Sequence, residues 1–209
     1  TNDFASSIIF FEIQPRCYFL IDPFFFTKNE RTKNIFKNIN KIDWKMNLLI
    51  PFGYKKTIKK IISNSWVNII EINTVSTSGF NWLNYLLIDF GLATPKAQNV
   101  LIPSIISAIQ MRYDVIELFG VEHDWSRYMV LDQNNILHLE SHHFYDQKND
   151  IKRWNMPNGS PWKVANALNA LSEMFSGYDF IAKYSLNKDV KIINKTKNSM
   201  IDAFTRDTL

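Results

Sequence analysis

Residues 94–124 read TPKAQNVLIPSIISAIQMRYDVIELFGVEHD. Thr94-Pro95 has the form of an N-cap followed by proline at the first helical position. From Pro95 onward Val100, Leu101, Ile105, Ala108, Ile109 and Met111 recur at helical spacing, which predicts a helix with one apolar face. Val115 to Val121 is then an apolar run long enough for a strand, ending on Gly120-Val121-Glu122-His123-Asp124. A helix followed by a buried strand is the repeating unit of a parallel α/β sheet.

The same alternation extends outward in both directions. Upstream, Cys17 to Asp22 is an apolar run stopped by Pro23. The helix Asn29 to Lys41 has Ile35, Phe36, Ile39 and Ile42 on one helical face and lysines on the other. Met46 to Phe52 and Val67 to Asn73 read as strands, with a basic amphipathic helix from Tyr54 to Ser63 between them. Asn81 to Phe90 is apolar enough for a buried helix, closed by Gly91 at the position where glycine ends helices. Downstream, Met129-Val130-Leu131 and Ile136-Leu137-His138-Leu139 flank the polar turn Asp132 to Asn135 and predict a hairpin. A polar loop runs to Ser160, and a long helix extends from Pro161 to about Tyr184. A strand follows at Val190 to Asn194, and a short helix at Ser199 to Phe204. The expected fold is α/β: a Rossmann-like, mostly parallel sheet covered by helices, in a single domain over 1–209, with a lid-like hairpin insertion at about 122–160.

Composition narrows the function. The 209 residues are 46% hydrophobic and 21% charged, close to globular averages, which excludes a disordered chain. A chain of this length buries about 70% of the surface that its unfolded form exposes and needs no disulfide or metal staple. Cys17 is the single cysteine, so no intrachain disulfide forms and a reducing, cytoplasmic location is expected. No run of 18 apolar residues suggests a spanning helix, and no signal peptide is visible. The chain begins on Thr1 rather than Met, so further residues are expected upstream. Between Lys28 and Lys60 ten Lys or Arg stand against Glu30 and Asp43, a local +8 within a net charge of +4. Such a face is either simply solvated or a peripheral contact with anionic lipid at the inner membrane. With few Arg and no repeated stacking pattern, nucleic acid is disfavoured as a partner, while a homo-oligomer stays open.

Ligands of parallel sheets sit beyond the carboxyl ends of strands. Asp22, the segment Glu122-His123-Asp124, and the segment from Asn194 through Asn198 and Ser199 occupy such ends, and Thr94 adds a helix start suited to phosphate. All four histidines, His123, His138, His142 and His143, lie within 21 residues of one another. His123 or His143, with Asp124 beside the former, is a candidate acid–base group. The set His123, Asp124, His142, His143 and Asp146 also permits a metal-dependent hydrolase, although no helical metal-binding spacing supports one. Trp125, Tyr128, Phe144, Tyr145, Trp154 and Trp162 suit sugar or base stacking and equally suit ordinary packing. With no P-loop, no G-x-G-x-x-G and no G-x-S-x-G, common NTPases, dinucleotide oxidoreductases and α/β-hydrolases are disfavoured. No cofactor motif and no metal site are assigned.

The order of segments resembles the bacterial sialyltransferases of glycosyltransferase family 42 and their relatives in capsule and lipo-oligosaccharide synthesis. Tyr18-Phe19-Leu20-Ile21-Asp22-Pro23 is similar to the family's second strand, which ends in Asn-Pro beside the nucleotide. The helix Ala97 to Met111 with Tyr113 to Glu122 is similar to its unit ending in Gly-Ile-Asp. The helix Val164 to Phe175, the strand Val190 to Asn194 and Asn198-Ser199 are similar to its C-terminal strand and Asn-Ser turn. The resemblance implies a nucleotide-activated donor, CMP-linked, a surface-glycan acceptor, and inverting transfer without metal or cofactor. Asp22, Thr94, Glu122, Asn194, Asn198 and Ser199 would contact substrate, and His143, His123 and Asp124 would be catalytic. Asp22 stands where the family has Asn. The stretch Asn158-Gly159-Ser160-Pro161-Trp162 carries no histidine where the family places its base, and the resemblance implies that the family's first strand and its Gly-rich loop lie upstream of Thr1. These departures leave a second expectation: a non-catalytic or partner-dependent module of a larger glycan-synthesis protein.

Overall fold

The computed structural model describes residues 2–26, 30–96, 99–140, 151–155 and 159–207. The chain forms two compact units, Thr1–Gln110 and Met111–Leu209. Both are mixed α/β, and each contains a three-stranded parallel sheet.

In the first unit a 3-10 turn at Asn2–Ser6 and helix α1 (Ile9–Ile13) precede strand β1 (Cys17–Phe19). Helix α2 (Glu30–Ile39), β2 (Met46–Pro51), α3 (Lys55–Ile58), β3 (Val67–Ile72), α4 (Asn81–Asp89) and α5 (Leu101–Gln110) follow. The strands lie in the order β1-β2-β3, with Cys17 opposite Asn47 and Met46 opposite Val67. Because side chains alternate along a strand, Tyr18 and Leu20, Leu48 and Ile50, and Ile69 contribute to one core. Ile35, Phe36 and Ile39 of α2, with Ile42, Ile58 and Ile62, complete that core, while Lys33 and Lys37 face water. The central strand β2 is buried on both faces from Leu48 onward, which is why that stretch reads as an apolar run. Phe10 packs edge-on to Phe4, Phe11 and Tyr18 and lies 5.4 Å from Trp44.

Two asparagines join the end of α2 to the turn before β3. Asn64 Nδ2 donates to the carbonyls of Asn40 at 3.1 Å and Ile42 at 2.7 Å, and Oδ1 accepts the Trp66 N–H at 2.9 Å. Asn40 Oδ1 accepts the N–H of Ser63 at 3.0 Å, and Nδ2 donates to the Ile61 carbonyl at 2.9 Å. Replacing Asn64 by Ala leaves these carbonyls without their donor, so Asn64→Ala is expected to lower stability by about 2–3 kcal/mol in urea denaturation. A loss within experimental error would show that water substitutes for the amide.

Helix α4 matches its expected bounds and ends in a Schellman motif. Gly91 N–H donates to Ile88 O and Leu92 N–H to Leu87 O, both at 2.9 Å, with Gly91 at φ +65°. Three expectations are corrected. The first strand stops at Phe19, with only the Leu20 N–H continuing to Leu49 O, and Pro23–Phe26 is a 3-10 turn. The basic helix expected over Tyr54 to Ser63 is the single turn α3. The helix expected from Pro95 begins at Leu101, where Asn99 Oδ1 accepts the Leu101 and Ile102 N–H groups. Thr94 instead makes a parallel bridge to Ser76, its N–H donating to Val75 O and its carbonyl accepting from Thr77 N, both at 2.9 Å. Thr94 lies seven residues ahead of Leu101, too far to cap α5, and its own N–H and carbonyl are taken up by the bridge.

In the second unit β4 (Val115–Leu118) is followed by a 3-10 turn at Trp125–Tyr128, then β5 (Met129–Leu131), β6 (Leu137–Glu140) and β7 (Ile151–Arg153). Helix α6 (Val164–Asn187), β8 (Lys191–Asn194) and β9 (Thr205–Arg206) complete the chain. The parallel sheet has the order β4-β8-β9, and β5-β6-β7 is a separate antiparallel sheet within the expected insertion. The expected hairpin is present: Asp132 Oδ1 accepts the N–H groups of Asn134 and Ile136 at 2.8 and 2.9 Å. Those backbone bonds, the Ile136 one foremost, hold the Asp132 carboxyl below its usual range, and His138 Nε2 lies 3.0 Å from Oδ2. The helix expected over Ser199 to Phe204 is not formed, because the chain crosses there to pair as β9 with Ile193 and Asn194. Among the described residues no helix is long and apolar enough to cross a membrane.

Candidate functional site

Chemistry-bearing residues converge in the second unit, where the carboxyl ends of β4 and β8 lie side by side. Parallel pairing sets Leu118 opposite Asn194, so the segments after both strands leave the sheet at the same edge. Two polar side chains then tie the two segments together, and a third braces the loop after β8. Thr196 Oγ1 accepts the Val121 N–H at 3.2 Å and donates to Leu118 O at 3.3 Å. Ser199 Oγ donates to Val121 O at 2.6 Å and accepts the Ile201 N–H at 3.2 Å. Asn194, with 0% exposure, accepts the Thr196 N–H at 3.0 Å and donates to Ile201 O at 3.3 Å. Arg206 closes the loop from β9 by donating to the carbonyls of Ser199 and Ile201. Asn198 takes the left-handed turn position at φ +61° and is exposed.

This scaffold holds His123. Its backbone sits at φ +50°, a left-handed conformation that a non-glycine residue adopts only when its surroundings impose it. The Met200 N–H donates to Glu122 O at 2.8 Å just before it, and the Arg127 N–H to Asp124 O at 2.9 Å just after. The imidazole lies 4.7 Å from the Trp125 ring, tilted by 33°, and shares a hydrogen bond of 2.9 Å through Nδ1 with the Tyr178 hydroxyl. Tyr178 stands at the buried centre of α6 with edge contacts to Phe175 and Phe204. Removal from water disfavours the imidazolium and pushes the His123 pKa down to about 4, the Asp124 carboxylate opposing that shift. His123 is therefore a neutral imidazole at physiological pH. When the Tyr178 hydroxyl donates to Nδ1, Nε2 carries the proton and is a donor; in the other tautomer Nε2 is an acceptor.

The structure thus brings together six of the residues singled out from sequence: Glu122, His123, Asp124, Asn194, Asn198 and Ser199. Glu122 and Asn198 are exposed, whereas the side chains of Asn194 and Ser199 are turned to the loop's own backbone. Asp22 belongs to the first unit, where Oδ1 accepts the Phe24 N–H at 2.9 Å and opens the 3-10 turn. Thr94, also in the first unit, is buried, and its hydroxyl meets no hydrogen-bond partner among the described residues. His143 lies outside the described residues, as do His142 and Asp146. Among the described residues no three His, Cys, Asp or Glu side chains are grouped so as to hold a metal ion.

Two contributors escape a sequence reading. Tyr178 reads as one more apolar position of α6, although a buried phenol usually needs a hydrogen-bond partner and that need was the available signal. Thr196, between two lysines, reads as solvated loop. No protein-family model, no curated protein and no solved structure matches this chain.

Proposed function

We propose that the protein is a Rossmann-like glycosyltransferase of surface-polysaccharide or lipo-oligosaccharide synthesis, moving a sugar from a CMP-linked donor to a glycan hydroxyl without a metal. The observation that carries this reading is His123: a neutral imidazole at the carboxyl end of a parallel strand, beside Asp124 and the Trp125 ring. In an inverting transfer the acceptor oxygen bonds to the anomeric carbon as the bond from that carbon to the phosphate oxygen breaks, and the nucleotide leaves as an anion. His123 would take the acceptor proton or, as the Nε2–H tautomer, donate to the departing phosphate. A group with a pKa near 4 is a weak base alone, and an anionic donor nearby raises its basicity as Asp124 does. The indole offers a stacking face for a base or sugar ring. Under this reading the protein works in the cytoplasm, its basic face meeting anionic lipid at the inner membrane.

One observation favours a second reading, a module that keeps the fold without the reaction. The polar side chains of the Asn194–Ser199 loop hydrogen-bond to the loop itself, so they serve its shape before any ligand.

Thermal denaturation against CMP, CDP, UMP, UDP, GDP and their sugar conjugates, with and without Mg²⁺, separates the two. A ligand at about 100 times its Kd adds roughly 2.7 kcal/mol, a rise of about 5–11 °C for this size. Selective, metal-independent stabilisation by a cytidine nucleotide is expected. Silence across the panel would leave the module reading, and a response to divalent metal alone would return weight to the hydrolase.

A further inference from the structure

The first unit has a large open cleft at the amino ends of its strands, the edge opposite the one where sheets of this class hold nucleotides. Its volume is about 900 Å³, and it is lined where Arg16 enters β1, Trp44, Lys45 and Asn47 enter β2, and Trp66 and Asn68 enter β3. That volume is within the ~300–1,000 Å³ typical of small-molecule sites. The two indoles are presented differently. Trp44 is fixed, its Nε1–H donating to Pro15 O at 3.1 Å and its ring packed 5.4 Å from Phe10 and 6.1 Å from Phe11. Trp66 is 45% exposed, with its backbone tied on both sides: its carbonyl accepts from Met46 N and its N–H donates to Asn64. Asn68 Nδ2 donates to Asn47 Oδ1 at 2.9 Å, which holds two amides side by side in the cleft wall. Arg16 and Lys45 are exposed, and neither forms an ion pair with another described residue.

We propose that this cleft binds an acidic oligosaccharide, a hydroxyl-rich chain with a carboxylate on some of its sugars. Each element of the lining answers to one part of such a ligand. Indole faces cover the apolar C–H faces of pyranose rings. Side-chain amides donate and accept at once, as hydroxyl-rich ligands require. A guanidinium and an ammonium pair with carboxylates. The proportions favour a glycan over single-stranded nucleic acid: two cations among several amides suit sparse charge, whereas a polynucleotide presents a phosphate at every unit. The inference goes beyond the transferase reading and does not depend on it. The six residues of β2 separate this edge from the carboxyl edge by about 20 Å, too far for one monosaccharide to reach both.

The test uses a hyaluronan tetrasaccharide, which carries a carboxylate on every second sugar, with neutral chitotetraose and an octathymidylate as comparators. Indole N–H signals of the full chain are followed by NMR, with Trp44→Phe and Trp66→Phe assigning the two resonances. The expected result is saturable movement of both signals with the acidic tetrasaccharide alone, weakening as salt is raised. Arg16→Gln combined with Lys45→Gln should reduce affinity roughly tenfold or more. Both replaced side chains are exposed, so the fold is retained. Equal binding of chitotetraose, preference for the oligonucleotide, indifference to the double substitution, or no movement of the Trp66 signal would each overturn the proposal.

Discussion

His123→Gln is expected to cut turnover of the proposed transfer by about 10² to 10⁴ and to flatten the acid dependence of stability in the second unit. The two readouts have one origin, the neutral state of a half-buried ring. Its pKa is about 4 in the folded protein against 6.5 for an ordinary histidine. Between those values the unfolded chain binds a proton that the folded chain does not. Stability conferred by neutral His123 is therefore complete above pH 6.5 and is lost as the pH falls towards 4, by roughly 3 kcal/mol. Urea midpoints at pH 7 and pH 4.5 for wild type and variant isolate this residue, since every other titrating group is common to both. Glutamine keeps a polar group within reach of Tyr178, so the comparison removes titration while leaving a hydrogen-bonding side chain. A variant with the wild-type acid sensitivity would place the titrating group elsewhere, and one with undiminished nucleotide release would remove His123 from the chemistry.

Asn194→Ala is expected to lower stability by about 2–3 kcal/mol, since the buried Thr196 N–H loses its partner and the Ile201 carbonyl keeps only Arg206. Urea denaturation measures the loss. Hydrogen exchange locates it: amides of β9 and of the loop from Lys195 to Phe204 should exchange faster than those of α6. Asn194→Asp should be no milder, because it retains the acceptor but removes the donor and takes a carboxylate out of water. A loss below 1 kcal/mol would mean that Thr196, Ser199 and Arg206 hold the loop without Asn194.

The alternation of strands and helices was legible because β2, β3, α2 and α4 each carry one unbroken signal. The buried run from Met46 and the inward face Ile35, Phe36 and Ile39 have no rival interpretation. The errors fall where a local signal competes with a distant partner. Thr94-Pro95 has ideal capping chemistry, but Ser76 draws Thr94 into extended pairing, and Asn99 caps the helix instead. Ser199 to Phe204 has helical character until Ile193 and Asn194 recruit Thr205 and Arg206 as β9. At the site, Glu122-His123-Asp124 and the Asn194–Ser199 segment were visible because each follows an apolar run. The depressed basicity of His123 was not visible, since it comes from burial of the ring, and a neighbour such as Tyr178 stands 55 positions away.

Strand pairing in the two units also sets different clocks for folding. In the first unit Cys17 meets Asn47 and Met46 meets Val67, so the sheet closes short loops and can assemble from chain made early in synthesis. In the second, Val115 meets Lys191, and the β4–β8 ladder cannot begin until the antiparallel sheet and the whole of α6 have emerged. Its high contact order makes it the slower step, during which β4 waits with an unpaired edge and an apolar end at Phe119. The edge on which His123 is assembled is thus among the last parts of the molecule to form, and the one most dependent on protection during translation.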